Sequence, residues 1–399
     1  MRHAPRKNHI NLSFALRLGP FALRLKKHME QQLNKFRHNL TDLLEKGVRD
    51  EVYPGAVLLV AKNGQAIFFE EVGNRSIIPL VLPMKRDTIF DLASLTKPLA
   101  TVMAVMRLVN DNSLTLDETL SDLITTYPLG DKKDLTVRSI LSHCAGFRAW
   151  MPFYQELVKC RADIRKKVLR ERIIEEPLQY IQGTDCLYSD LGFMALEWVV
   201  EEASGETLRD FVHRNFYNPL ELKRTFLGKE DLPFKREEFA ATEDCPWRKR
   251  VLQGEVHDEN AYAAGGYSGH AGLFGTAEEI FIIVNMLREH CLGKRSDYFS
   301  PGVIREFFKR QELVKGCTWA LGWDTPSATN SSAGRYISPN SIGHLGFSGT
   351  SVWMDLDKDV LMIFLSNRIH PSRDNLKIRA FRPVLHDLIL EDVSGCFGE

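Results

Sequence analysis

Two hairpin signals, one near each end of the chain, constrain the fold more than any other feature. Ala56 to Phe69 runs apolar, turn, apolar, with Asn63-Gly64 at its centre. Asn-Gly accepts the positive φ of the tight turns that join antiparallel strands at their natural twist. Ser351 to Leu356 and Val360 to Leu365 repeat the pattern around Asp357-Lys358-Asp359. Elsewhere helical spacing dominates: Leu33, Phe36, Leu40, Leu43 and Leu44 near the start, Leu99 to Val109, Met194 to Ala203, and Leu376 to Leu390 at the end. Strand-rich ends around a helical middle predict one sheet built from both ends of the chain, with a helical lobe inserted. The expected division is 29–97 with 335–399 as an α/β lobe, and 98–334 as a mainly helical lobe with cleft-lining loops. A chain of 399 residues exceeds what one core usually supports, which agrees with two lobes.

Charge excludes one class of partner. Lysine plus arginine and aspartate plus glutamate both number 52, but residues 1–29 carry seven of the bases and no acid. The remainder is mildly acidic, so a nucleic-acid surface is not expected. The segment 1–28 is cationic and apolar, with Arg17 and Arg24 interrupting any signal-peptide core. It reads as a disordered leader outside the fold, as a targeting or membrane-surface segment, or as residues upstream of a start at Met29. No later apolar run approaches the roughly 18 residues of a membrane span. Seven cysteines, without a Cys-x-x-Cys pair, predict reduced thiols and favour a cytoplasmic location.

The stretch with chemical content is Phe90-Asp91-Leu92-Ala93-Ser94-Leu95-Thr96-Lys97-Pro98. If a helix begins near Ser94, Pro98 falls in its first turn, where no N–H partner is lost. Lys97 then lies one turn from Ser94 on the same face. A serine at a helix N-terminus sits where developing negative charge is favoured, and a nearby amine can take its proton. Taken alone, a capping serine and a solvated lysine explain Ser-x-x-Lys equally well. Two further stretches could supply partners. Leu187-Tyr188-Ser189-Asp190 leads into a helix and offers a phenol for proton transfer. Gly343-His344-Leu345-Gly346-Phe347-Ser348-Gly349 precedes a strand, where a backbone N–H such as that of Phe347 could join that of Ser94 in an oxyanion hole. A Gly-x-Ser-x-Gly elbow is absent.

In order and spacing, Ser94-x-x-Lys97, Tyr188-Ser189-Asp190 and His344-Leu345-Gly346 resemble the penicillin-recognising serine hydrolases. The nearest branch is the one that holds class C β-lactamases, D-Ala-D-Ala peptidases and their esterase relatives. Pro54-Gly55-Ala56, Leu141-Ser142-His143-Cys144-Ala145-Gly146 and Gly269-His270-Ala271-Gly272-Leu273-Phe274 extend the resemblance to about residues 50–390. It implies a β-lactamase/transpeptidase-like fold, an antiparallel sheet flanked by helices beside an all-helical lobe, with the cleft between them. It also implies an acyl-enzyme on Ser94, proton transfer by Lys97 and Tyr188, oxyanion N–H groups at Ser94 and Phe347, substrate contacts at His344, Gly346 and Asp190, and no metal or organic cofactor. The expected substrate is a small molecule or short peptide with an ester or amide bond, as for a carboxylesterase or a peptidoglycan-peptide hydrolase. A true β-lactamase is the alternative enzyme, and a catalytically weak protein binding cell-wall peptides or a partner is the alternative of another class. Oligomeric state is not readable from these residues.

Two departures bear on substrate. His344-Leu345-Gly346 stands where β-lactamases place Lys-Thr-Gly or Lys-Ser-Gly, and a histidine is only partly charged near neutral pH. Asp190 stands where the family usually has Asn; a carboxylate accepts hydrogen bonds or pairs with a cation such as Lys97. Both weigh against efficient β-lactam hydrolysis. His257, Asp258 and His270 form no close metal-binding repeat and are read as structural, with Asp258 and Glu259 bonding loop backbone. Arg148, Arg368 and Arg373 are candidates to face the cleft, and Trp150 and Phe153 to wall its acyl side or fill core.

Overall fold

The computed structural model describes residues 20–228 and 233–397. Helix α1 spans Pro20–Arg49, so residues 20–28 are helical and not a disordered leader; residues 1–19 lie outside the described ones. The helical spacing that begins near Leu33 continues backward through residues of good helix propensity, among them Ala22, Leu23 and Leu25.

Six strands form the central sheet: β1 Gly55–Lys62, β2 Gln65–Ser76, β3 Leu82–Pro83, β4 Ile342–Leu345, β5 Ser351–Asp355 and β6 Val360–Ser366. Their order is β3-β2-β1-β6-β5-β4, with every neighbour antiparallel. The two hairpins therefore meet at β1 and β6, where Leu58 pairs with Phe364 and Leu59 with Ile363. Alternation sorts their side chains to opposite faces. Leu58, Val60, Met362 and Phe364 join Phe36, Leu40 and Leu44 of α1 and Leu385 and Ile389 of the terminal helix α5, Ile378–Phe397. Val57, Leu59, Ile363 and Leu365 join the larger core, shared with the helices on the other side. A strand covered on both faces needs an unbroken apolar run, which is what Ala56 to Ala61 supplies.

The chain between β3 and β4 holds α2 (Met103–Asn110), α3 (Asp190–Ser204) and α4 (Ala277–Cys291). Helix α3 starts four residues before the expected Met194, because the Ser189 hydroxyl caps the N–H of Gly192 at 3.1 Å. Gly205, at φ 71°, ends it in a left-handed cap. Ten consecutive residues of α3, Leu191 to Val200, are buried, so it is the spine of the helical lobe. Among the described residues no helix is long and apolar enough to cross a membrane.

One thiol expectation is overturned. Cys186 and Cys317 form a disulfide, with Cys144, Cys160, Cys245, Cys291 and Cys396 free. The partners are 131 residues apart, so only tertiary packing, not spacing, brings them together. The inference from reduced thiols to a cytoplasmic location loses its basis at these two positions.

Burial also sets the acid response. His386 of α5 is fully buried, its Nδ1 donating to the Ser332 carbonyl at 3.1 Å, and burial with the nearby Arg382 lowers its pKa to about 4. The unfolded chain, with an ordinary histidine value of about 6.5, takes up that proton first as pH falls. Stability is therefore full above about pH 6.5 and declines from there toward pH 4. Urea unfolding at pH 7.5, 6 and 5 should show this decline in the wild type and a shallower one in His386→Gln; parallel declines would refute the assignment.

Candidate active site

The segment around Ser94 is fixed from both sides. Asp91 accepts the N–H of Ala93 at 2.9 Å through one carboxylate oxygen and that of His257 at 2.6 Å through the other. Ala93 is thereby held at φ 48°, a left-handed conformation that a residue with a side chain seldom adopts. A 3-10 turn, Ala93–Leu95, follows, and Lys97–Val102 is π-helical before α2 begins. The expected helix start near Ser94 is thus a tighter turn running into a wider one, a distortion that recurs at functional sites. The result leaves Ser94 partly exposed and Lys97 entirely buried.

Lys97 Nζ lies 3.2 Å from Ser94 Oγ, 2.6 Å from Asp190 Oδ1 and 3.3 Å from the His270 carbonyl. The Tyr188 ring lies beside the amine, its centroid 4.7 Å from Nζ. Burial works to lower the Lys97 pKa, but Asp190 and Tyr188 outweigh it and the amine holds its proton above the ordinary range. Burial likewise raises the Tyr188 phenol, with Lys97 opposing. The resting site is therefore an ammonium–carboxylate pair beside a neutral phenol and a serine hydroxyl.

The edge strand β4 supplies His344 and Leu345, and the turn after it is bound to the Ser94 segment. Gly346 N–H donates to Thr350 O at 2.8 Å, Ser348 Oγ to Asp91 O at 2.7 Å, and Thr350 Oγ1 to Leu92 O at 3.1 Å. A Cβ on Gly346 would fall 2.0 Å from Thr350 Oγ1 and 2.6 Å from Leu92 O, so only glycine fits. Arg368 grips the Phe347 carbonyl with Nε at 3.0 Å and Nη2 at 2.7 Å, while the Phe347 side chain stays exposed. Ser94, Tyr188 and Phe347 line two adjoining cavities of about 340 and 390 Å³. His344, Gly346 and Arg368 line the first; Asp190, Trp150, Asp258, Glu259, His270 and Arg373 line the second.

His344 is not partly charged as expected. Burial and the neighbouring Lys97 ammonium lower its pKa to about 3, so it is neutral. Its Nδ1 donates to Leu345 O at 2.9 Å, which leaves buried Nε2 as an acceptor without a partner among the described residues. The other candidates divide. Asp258 accepts from Ala261 N at 2.7 Å and pairs with His270 at 2.9 Å, and Asp190 lies close to both. His257 lines the second cavity and bonds Glu243 at 3.1 Å, and Glu259 pairs with Arg373 rather than with backbone. Arg148 pairs with Glu176. Trp150 is half-exposed in the cleft, whereas Phe153 is core.

Sequence reasoning quoted His143 only as a flank. The structure gives it more to do: its carbonyl accepts the N–H of Leu187 at 3.0 Å, its Nδ1 accepts that of Ser189 at 3.1 Å, and its ring packs 4.7 Å from that of Tyr188. Burial, with Lys97 nearby, holds it well below the usual imidazole range, so it stays a neutral acceptor. Trp319, at 5.5 Å from Tyr188, completes the aromatic wall and carried no signal in the sequence.

Comparison with known proteins agrees with this arrangement. The sequence model described as Beta-lactamase matches residues 40–384. The "N-acetylmuramyl-L-alanine amidase" of Bacillus subtilis (strain 168) is 31% identical over 346 residues, covering 80% of this chain and 78% of its own. Among solved structures, "EstCE1, a hydrolase with promiscuous acyltransferase activity" superposes with a TM-score of 0.66 at 22% identity, over 88% of this chain and 99% of its own. The unliganded simvastatin synthase LovD of Aspergillus terreus gives 0.67 at 16% identity, over 89% and 98%. The two structures share the fold, and the sequence match extends across both hairpins and the helical middle. The chain belongs to the Beta-lactamase family and is a serine hydrolase acting on an ester or amide bond.

Proposed function

We propose that Ser94 is the nucleophile of an acyl-enzyme mechanism and that the physiological substrate is an amide of a peptidoglycan fragment. The observation that carries the reading is the convergence of Ser94, Lys97, Tyr188 and Asp190 on one cleft. Once the Lys97–Tyr188 unit has lost one proton to solvent, Ser94 attacks the carbonyl carbon as its own proton passes to that unit. The N–H groups of Ser94 and Phe347 receive the oxyanion. The same unit returns the proton to the leaving amine, and water, deprotonated by Tyr188, then releases the acyl group. Arg368 keeps the Phe347 peptide oriented by holding its carbonyl. A fully buried lysine against a serine is a costly arrangement without a chemical role.

Substrate class rests on charge and likeness. In the first cavity, burial and neighbouring arginines lower Arg368 to about 10 and Arg382 to about 9, a cationic wall suited to the carboxylates of a peptide stem. The second cavity offers Trp150 and carboxylates to the acyl part. The named activity of the Bacillus subtilis relative points to the same chemical class. Neutral His344 and apolar Leu345 leave the third motif without the cation that β-lactamases use, which favours an amidase or esterase over β-lactam turnover.

Intact-mass detection of an adduct on Ser94, with p-nitrophenyl esters, muramyl-peptide amides and a chromogenic cephalosporin as acyl donors, tests the reading. Turnover of the first two but not the third is expected, with all turnover lost in Ser94→Ala; an active Ser94→Ala would overturn it. Lys97→Ala and Tyr188→Phe should each lose about 100-fold or more in kcat/KM, the range of acid–base contributions. Asp190→Asn removes the charge that holds the shared proton, so the pH–rate profile of kcat/KM should begin its rise at lower pH. A profile unmoved by that change would show that Asp190 does not set the ionisation of Lys97.

A further inference from the structure

The segment that carries Tyr188 is attached to the rest of the site in two ways. Hydrogen bonds tie Leu187 to His143 and Tyr180, Ser189 to His143 and Arg148, and Asp190 to Lys97. A covalent bond ties Cys186, two residues before Tyr188, to Cys317, two residues before Trp319. The Cys317 segment is in turn joined to the strand bearing His344: Thr318 Oγ1 donates to Asp324 at 2.7 Å, and Asp324 exchanges backbone bonds of 2.8 and 2.9 Å with Gly343. The disulfide thus bridges the cleft, from the segment of the phenol to the edge of the sheet. A third sulfur completes the cluster. Cys144 Sγ lies 3.9 Å from Cys317 Sγ, and all three sulfurs surround the Ser142 carbonyl at 3.3 to 3.9 Å. Cys144 is buried, while Cys186 and Cys317 are half-buried.

We propose that Cys144, Cys186 and Cys317 form a thiol–disulfide exchange site, acted on by a small or protein-borne dithiol, that fixes or releases Tyr188. Its effect on turnover rests on the role given to Tyr188 above; the exchange itself does not. A thiolate of the dithiol attacks one sulfur of the bridge, its second thiol resolves the mixed disulfide, and the dithiol leaves as a cyclic disulfide. The protein gains two electrons and two protons as the thiols of Cys186 and Cys317. A second route needs no outside reductant: Cys144 loses its proton and attacks Cys317 Sγ, the Cys144–Cys317 bond forms, and Cys186 leaves as a thiolate that takes up the proton. Either route frees Cys186 and leaves the Tyr188 segment without its covalent tie, held by the hydrogen bonds of His143, Tyr180 and Arg148 and by the Lys97–Asp190 pair. A phenol displaced by even an ångström transfers protons poorly, while the substrate walls on either side stay in place.

The test uses the full chain purified without thiols, alkylated under acid quench and mapped without reduction. A Cys186–Cys317 crosslinked peptide is expected; free thiols at both positions, or a metal ion retained by the three sulfurs in native mass spectra, would overturn the proposal. On treatment with dithiothreitol, kcat should fall about tenfold or more with KM changed by less than about twofold, since positioning rather than binding is lost. Cys186→Ser should match the reduced wild type and ignore the reductant, while oxidised Cys144→Ser should keep full activity and the native crosslink. Equal kcat in the two redox states refutes control of Tyr188. Hydrogen exchange of the 183–192 peptide supplies a readout independent of catalysis: faster exchange on reduction supports the clamp, unchanged exchange refutes it. If Ser94 fails to take an acyl label in either state, the proposed mechanism falls, while the crosslink map and exchange rates still decide the clamp.

Discussion

The ion pair between Lys97 and Asp190 is the contact on which the site depends. An ammonium with no solvent exposure is tolerated only against a close opposite charge, and Asp190 provides it at 2.6 Å. Removing one partner of a buried pair typically costs about 3–5 kcal/mol, unless the survivor gives up its charge. Position follows from this constraint. Asp190 is the first residue of α3, so the pair docks that buried spine against the turn holding Ser94. Tyr188 arrives from the residues just before the helix, and Ser189 caps it. Serine, amine and phenol are therefore set by one helix start meeting another.

Around that pair, neutral groups are kept neutral by design of their surroundings. His143 and His344 both face the Lys97 ammonium, and both are driven below the range in which they would compete with it for protons. Of these three buried groups, Lys97 alone carries charge. The backbone carries a matching constraint in Ala93, whose unfavourable φ is maintained by the Asp91 carboxylate. Strain of this kind costs of order 1–3 kcal/mol and persists because the surrounding bonds over-determine it.

Much of this was legible from residues alone, for local reasons. The Asn63-Gly64 and Asp357-Lys358-Asp359 turns announced the hairpins, and an apolar run announced that β1 would be covered twice. Ser94 and Lys97 are three residues apart, so helical geometry alone brings them together, and the pairing of Asp190 with a lysine follows from what a carboxylate can accept. What escaped notice was non-local. The Cys186–Cys317 bond, the stacking of Trp319 on Tyr188, and the double acceptor role of His143 depend on segments distant in the chain. The charge state of His344 depends on burial, which its neighbours in sequence do not disclose. The helix through residues 20–28 crosses a cationic run whose apolar residues lack the clear helical spacing that begins at Leu33.

The meeting of β1 with β6 has a consequence for biogenesis. Val57 pairs with Leu365, so the middle of the sheet closes only after nearly the whole polypeptide has left the ribosome. Until then the first hairpin waits with two greasy faces and an open edge, a form prone to stick to other chains. The intervening helices are free to organise during that interval, since their contacts are closer in sequence. The joining of the two hairpins is therefore the step most exposed to competing association.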